Sequence, residues 1–208
     1  LNQEELYGLA ATAGLLGLKT KQDILGFTEA ANYAKVALVE LGDDGAASLM
    51  KIATVTGDVA KYGVQEALTK VSSSINELTA SSAASAGPIV EFIANTGAVG
   101  SICGVTTSEV AGLGATLDAL EKPAGMASTS MNKIIRTLHD NHRGVAAALG
   151  MDPENLEQLV NSGHTMEALL QVLEKINKSG GDIQPFMEQM TGKRSEQVKS
   201  VLSDLVKN

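Results

Sequence analysis

Apolar residues recur every three or four positions along most of the chain, which is the spacing of one face of an α-helix. The first example places Leu6, Leu9, Ala13 and Leu16 on one face and stops at Gly17. In the first half of the chain, the pattern predicts helices over 4–16, 20–41 and 43–56, a turn or single helical turn at 58–62, a helix from 64 through 78 into a Ser/Ala-rich stretch, and another from 88 through 99. The second half continues in the same way, with helices predicted over 110–120, 123–138, 156–160 and 164–176, then a link at 177–181 and two short helices.

Start and stop signals support these helices. Thr106 followed by Glu109 forms a capping box, and Thr20 with Asp23 resembles one. Asp152 before Pro153 is typical of a helix start, as is Pro88 in a first turn. Asp43 or Asp44, and His164 or Thr165 with Glu167, are predicted to begin two more helices, the second with Leu169, Leu170, Leu173 and Ile176 on its apolar face.

No segment alternates as a strand does, so the predicted fold class is all-α. We expect a multi-helix array of short, capped amphipathic helices and helical hairpins, for which an elongated arrangement stays open. The predicted division places one helical domain at 1–178 and two short helices, or a linker to a following region, at 179–208. The segments 20–27 and 106–113 share capping and apolar pattern, which indicates either a duplicated hairpin or two ordinary amphipathic helices.

Composition excludes several classes of protein. The formal net charge is −8, and no basic stripe with interleaved aromatic residues is present, so nucleic-acid binding is not expected. The same balance disfavours an anionic membrane surface. Glu91, Asn95 and Glu109 interrupt the longest apolar stretches before they reach the roughly 18 residues of a membrane-spanning helix. The chain begins at Leu1 rather than Met, from which we expect a piece of a longer protein.

Candidate chemistry is sparse. His139 and His142 are three positions apart on a predicted helix, a spacing that can hold a metal, but no third ligand has recognisable spacing, so a solvated polar face is the better interpretation. Cys103 is the only cysteine and has no neighbouring positive charge to stabilise a thiolate, so we expect a small buried apolar residue. Carboxylates are scattered singly. The sequence therefore predicts no catalytic, cofactor or metal site and no enzymatic activity.

Glycines cluster between 97 and 104 without the Lys-Ser/Thr of a phosphate-binding loop. Gly97 with Ser101, and Gly100 with Gly104, have the small-xxx-small spacing that lets helix backbones approach closely. Packing within the chain is the favoured interpretation. Self-association and a membrane-active step are the alternatives.

Several stretches, in their order and spacing, resemble one known family. They are Leu9 to Gly14, Asp23 to Thr28, Ser74 to Leu78, Gly104 to Thr107, Ala111 to Ala115 and Ala147 to Met151. Over roughly residues 6–176, the chain resembles the core region of phage tail tape measure proteins of the TP901 family. The resemblance implies a non-enzymatic protein of a phage or prophage that templates tail-tube assembly, sets tail length and leaves during DNA ejection. It implies no site residues.

The same resemblance implies partners and a location. Tail tube proteins and tail assembly chaperones are the expected partners, and the chain is expected to self-associate in several copies within the tube lumen of the virion tail, after assembly in the bacterial cytoplasm. Membrane contact during ejection is conceivable. Two alternatives stay open: a cellular helical scaffold or protein-interaction module, and a membrane-active module used in DNA ejection.

Overall fold

The computed structural model describes residues 3–191 and 196–208, and this part of the chain contains α-helices and no strand, which confirms the all-α class. Leu1 lies outside the described residues. Thirteen α-helices occur in the described part: α1 Gln3–Leu15, α2 Lys21–Ala37, α3 Gly45–Val55, α4 Asp58–Tyr62, α5 Val64–Ser81, α6 Ala86–Ile102, α7 Thr107–Ala119, α8 Ala124–Asp140, α9 His142–Leu149, α10 Pro153–Asn161, α11 Thr165–Lys178, α12 Gln184–Glu188 and α13 Glu196–Lys207.

Several helix starts follow the capping signals in the sequence. The Thr106 side chain accepts a hydrogen bond from the Glu109 backbone N–H, and the Glu109 carboxylate accepts one from the Thr106 N–H at 2.8 Å, which completes the predicted capping box. Thr20 caps α2 through the Asp23 N–H, and Asp152 caps α10 through the Glu154 N–H. Because these bonds satisfy otherwise unpaired N–H groups, they fix where the helices begin.

The N-terminal region departs from the prediction at two points. α2 ends at Ala37, and a short 3₁₀ helix, Val39–Leu41, replaces its predicted last turn. Asp44 occupies the position before α3, but its backbone is already helical and its side chain makes no capping bond. Asp43 instead pairs with Lys35 at 3.0 Å. Neither aspartate therefore caps α3, and that part of the prediction is wrong.

α6 lies at the centre of the packing, against α3, α7 and α8. Carboxylates from distant parts of the sequence accept hydrogen bonds at the start of α6. The Ala86 N–H donates to Glu40 Oε1 at 2.7 Å, and the Ser85 N–H donates to Asp118 Oδ2 at 2.8 Å. Carboxylates near a helix N-terminus are favourable because of the helix dipole. The helix consequently begins before the predicted break, and Pro88 lies in its first turn, where its missing N–H costs nothing.

The C-terminal helices pack on the rest of the fold. α13 packs against α8 and α11, and α12 packs against α9. Val201 and Leu202 of α13 are fully buried. Lys122 Nζ donates to Ser200 at 3.0 Å and pairs with Asp204, while Asn177 Nδ2 donates to the Val206 carbonyl oxygen at 2.7 Å. The domain boundary after residue 178 stays a prediction.

The apolar face predicted for 164–176 needs one correction. Leu169, Leu173 and Ile176 are buried in α11 as expected, but Leu170 is 57% exposed. Its position follows Leu169 by one residue, so it points about 100° away around the helix, beyond the edge of the buried stripe.

Candidate functional site

The two histidines do not share a helix. α8 ends at Asp140 and α9 begins at His142, so the predicted spacing on one helical face is wrong. His139 Nδ1 lies 2.8 Å from the Asp140 carboxylate, and His142 Nδ1 donates to the His139 backbone oxygen at 3.0 Å. Among the described residues, no group of three His, Cys, Asp or Glu side chains could hold a metal ion. Both imidazoles have local partners at a helix–helix junction.

Cys103 ends α6 and is buried, as predicted. Burial raises the pKa of its thiol, the negative charge of Asp140 raises it further, and the positive charge of Arg136 opposes the shift. A raised pKa keeps the sulfur protonated near neutral pH, and a thiol is a weak nucleophile. Cys103 therefore belongs to the core packing.

The glycines of α6 serve packing within the chain, which confirms the favoured interpretation. A Cβ on Gly97 would lie 2.7 Å from Thr56 Cγ2, and a Cβ on Gly100 would lie 2.7 Å from Val110 Cγ2. Gly104 has a positive φ of 72°, and its Cα faces the backbone of Gly163 so closely that an added Cβ would approach to 2.8 Å. Each position needs glycine because a neighbouring element occupies the space of a side chain.

A polar junction centred on Asp58 connects four helices. Asp58 Oδ2 accepts hydrogen bonds from Thr107 Oγ1 at 2.6 Å and from Thr56 Oγ1 at 3.1 Å. Ser101 Oγ donates to the Thr56 carbonyl oxygen at 2.9 Å. The junction therefore joins the α3–α4 turn to α6 and to the first turn of α7. Sequence reasoning missed it, because Asp58 and Thr107 are 49 positions apart and no local pattern relates them.

Two surface clefts lie outside this junction. One, of about 580 Å³, lies beside Tyr62, where the ammonium groups of Lys61 and Lys70 approach the ring centroid at 4.9 and 4.8 Å. Lys70 also pairs with Glu66 at 3.6 Å. Both lysine ammonium groups therefore already contact neighbouring side chains of this chain. The other cleft, of about 330 Å³, lies between α3 and α6 and is lined largely by apolar side chains, with Lys51 and Glu91 beside them. Neither arrangement resembles a catalytic constellation.

The largest concentration of exposed apolar side chains lies at the N-terminal hairpin of α1 and α2. Among the described residues, ten large apolar side chains are exposed, and seven of them lie in α1, α2 and the 3₁₀ helix: Leu6, Tyr7, Leu15, Leu25, Tyr33, Val36 and Val39. Leu15 is 89% exposed and Tyr7 is 67% exposed. A surface of this kind marks an interaction site more often than catalysis.

Comparison with known proteins gives the family. Residues 1–206 match the family model described as phage-related minor tail protein. The chain belongs to this family. The match includes the C-terminal helices, which the resemblance noted from the sequence did not cover. No curated protein and no solved structure matches the chain.

Family membership makes the chain a component of a phage tail with a structural role. This role agrees with an all-helical fold whose most prominent surface feature is a group of exposed apolar side chains. Within the described ranges, no helix is long and apolar enough to cross a membrane.

Proposed function

We propose that this chain is part of a tail tape measure protein, which templates tail-tube assembly and sets tail length without enzymatic activity. The observation that carries the proposal is the match to the phage-related minor tail protein family over residues 1–206. Several sequence stretches, among them the capped start of α7 and the end of α9, resemble the core of tape measure proteins. Within the broader tail-protein family, this resemblance favours the role of a ruler that sets tail length. The fold supplies what a ruler needs, because α-helices account for nearly all of its regular structure.

Helix geometry relates residue number to length. An α-helix rises about 1.5 Å per residue, so 208 residues in continuous helix would span about 310 Å. The longest helix here, α5, has 18 residues and a length of about 27 Å. The folded form is therefore much shorter than the extended form, and we propose that the chain opens at its turns when it enters the tube.

The proposed setting follows from this role. Tail tube proteins and tail assembly chaperones are the partners, several copies associate with one another, and the chain lies in the tube lumen of the virion after assembly in the bacterial cytoplasm. The net charge of −8 disfavours binding to DNA phosphates, so we propose no direct contact between this chain and DNA.

Tail length after in-frame deletion tests the proposal. If residue number sets length, electron microscopy should show tails shortened by about 1.5 Å per residue removed: about 45 Å for residues 179–208 and about 310 Å for the whole segment. Gly97→Ala is the matched control, because it perturbs the fold but removes no residue, and it should leave tail length unchanged.

Two results would contradict the ruler. Tails of normal length after deletion would show that this segment does not measure. Tails that fail to assemble after the short deletion, while the control assembles, would assign the segment to initiation of assembly instead.

A further inference from the structure

Few buried side chains attach helix α1 to the rest of the fold. It packs mainly against one neighbour, α2. Ala13 is the one buried residue of α1, while Leu9 and Leu16, which directly follows the helix end, are partly buried. Tyr7 and Leu15 are 67% and 89% exposed, so these large side chains add little to the contact with α2. Because burial of apolar area supplies most of the stabilisation of a docked helix, α1 is weakly attached.

The sequence of α1 also gives the helix little stability of its own. Gly8 lies in its middle, and glycine is unfavourable there because it loses more backbone freedom than any other residue. The last turn holds no basic residue that could interact with the helix dipole. A helix of 13 residues is marginal in water without a packing partner. We therefore expect α1 to lose its helical structure when it leaves α2.

The ion pair between Glu5 and Lys35 adds little to the attachment. Lys35 Nζ lies 3.8 Å from the Glu5 carboxylate, and the two side chains are 40% (Glu5) and 35% (Lys35) exposed. An exposed pair of this kind contributes little to stability, because water screens the charges. Lys35 Nζ also lies 3.0 Å from the carboxylate of Asp43, beyond the end of α2. The ammonium group therefore keeps a partner when α1 leaves.

The turn between the two helices allows α1 to leave while α2 stays in place. Gly17 has a positive φ of 85°, and nothing lies within 4 Å of a Cβ built there. α2 has its own cap, since the Thr20 side chain accepts a hydrogen bond from the Asp23 N–H at 3.0 Å. α2 also packs against α5, where Gln65 Nε2 donates to Glu29 Oε2 at 2.8 Å. These contacts hold α2 without any contribution from α1.

The last helix, α13, is attached in a different way. It has 12 residues, one fewer than α1, but five of them are buried: Val198, Val201, Leu202, Leu205 and Val206. It packs against both α8 and α11. Hydrogen bonds from Lys122 to Ser200 and from Asn177 to the Val206 carbonyl oxygen add to this attachment. α13 should therefore open only when the helices around it unfold.

We propose that residues 3–17 form a detachable arm, here named the α1 arm, which separates from α2 by local opening about Gly17 while the other described helices stay folded. A terminal segment with few buried contacts opens at a lower free energy than the core does. The inference goes beyond the ruler and does not need it. Its consequence in the tail rests on the proposed function: a chain that extends on entering the tube begins to open at the α1 arm. Tail length tests the ruler and hydrogen exchange tests the arm, so each can fail alone.

Hydrogen exchange followed by mass spectrometry tests the α1 arm in the 208-residue chain. Relative to the unfolded chain, amides of α1 should be protected at least about 100-fold less than amides of α13. Low concentrations of urea should leave exchange in α1 nearly unchanged and accelerate exchange in α13, because local opening exposes little surface and global unfolding exposes much. Equal protection with equal urea dependence in the two helices would overturn the proposal.

Ala13→Asp tests whether α1 leaves alone, and Ala11→Asp is the matched control. Both positions lie in α1, but Ala13 is fully buried and Ala11 is exposed. A carboxylate is costly to bury, so Ala13→Asp should abolish protection of α1 and leave α13 protected. Ala11→Asp should lower protection of α1 less than about tenfold, through helix propensity alone. Loss of protection throughout the chain after Ala13→Asp would make α1 an integral part of the core and refute the arm, and so would unchanged protection of α1.

Gly8→Ala tests whether the open arm is unfolded. Nothing lies within 4 Å of a Cβ built at Gly8, so alanine fits there without a clash. If opening melts the helix, the gain in helix propensity should slow exchange in α1 about fivefold and leave exchange in α13 unchanged. An unchanged rate in α1 would show that the helix does not melt on opening, which would contradict this part of the proposal.

Discussion

Gly97→Ala should destabilise the fold because of one methyl group. Gly97 lies inside α6, and an added Cβ would lie 2.7 Å from Thr56 Cγ2 and 3.5 Å from Ile93 Cγ2. The first distance is well below an ordinary contact between carbon atoms. Thr56 cannot turn away easily, since its hydroxyl lies 3.0 Å from the Ile52 carbonyl oxygen and 3.1 Å from Asp58 Oδ2.

Two opposing terms set the magnitude. Replacing glycine by alanine inside a helix gains about 1 kcal/mol of helix propensity. Overpacking a filled site costs about 1–3 kcal/mol. Gly112→Ala separates the two terms, because Gly112 is also inside a helix but has nothing within 4 Å of its built Cβ. We expect Gly112→Ala to stabilise the chain, and Gly97→Ala to be less stable than Gly112→Ala by about 1–3 kcal/mol.

Urea unfolding followed by far-ultraviolet circular dichroism measures both variants. Thr56→Ser should rescue Gly97→Ala, because serine keeps the hydroxyl but lacks the methyl group in the way. The double-mutant cycle should show a favourable coupling of about 1 kcal/mol. If Gly97→Ala is as stabilising as Gly112→Ala, or if Thr56→Ser gives no coupling, the close packing of α3 and α6 at this point is refuted.

Two further predictions concern α13 and the single cysteine. Leu202→Ala should lower the free energy of unfolding by about 2–5 kcal/mol, since Leu202 is fully buried in α13. Calorimetry should show the main unfolding transition shifted to lower temperature. A shift confined to a separate minor transition would instead support an independent unit at 179–208. Cys103 should react with a thiol reagent at neutral pH at least about tenfold more slowly in the folded chain than in the unfolded chain, because burial hides the sulfur and raises its pKa. The thiolate fraction, and hence the rate, should rise as pH rises, and equal rates in the two states would contradict the burial.

Local signals in the sequence predicted most helix starts correctly. The capping box of Thr106 and Glu109 needs only residues three positions apart, so its geometry can be inferred from sequence. Asp152 before Pro153 is equally local. Asp44 failed because it has the right residue type but a helical backbone, from which its side chain makes no bond to the first turn. Capping depends on backbone conformation, which residue type alone does not determine.

Distant contacts could not be predicted in this way. The Asp58–Thr107 bond joins residues 49 positions apart, and the approach of Gly104 to Gly163 depends on how α6 and α7 pack beside the α10–α11 turn. The glycine spacing in α6 indicated close packing but named no partner. The early end of α2 is also a tertiary effect: Leu38 leaves the helical conformation and stays buried.

The exposure of the outer face of α1 could not be predicted from the sequence, for a different physical reason. An apolar pattern all around a helix usually indicates a helix that is enclosed by its own fold. α1 shows that pattern, yet Tyr7 and Leu15 remain exposed beside a hairpin that covers one side only. Burial of a large apolar side chain is worth about 1.5–3 kcal/mol. The exposed positions of α1 therefore retain apolar surface that folding of one copy does not bury, so the free energy of burying it is not used by the fold described above.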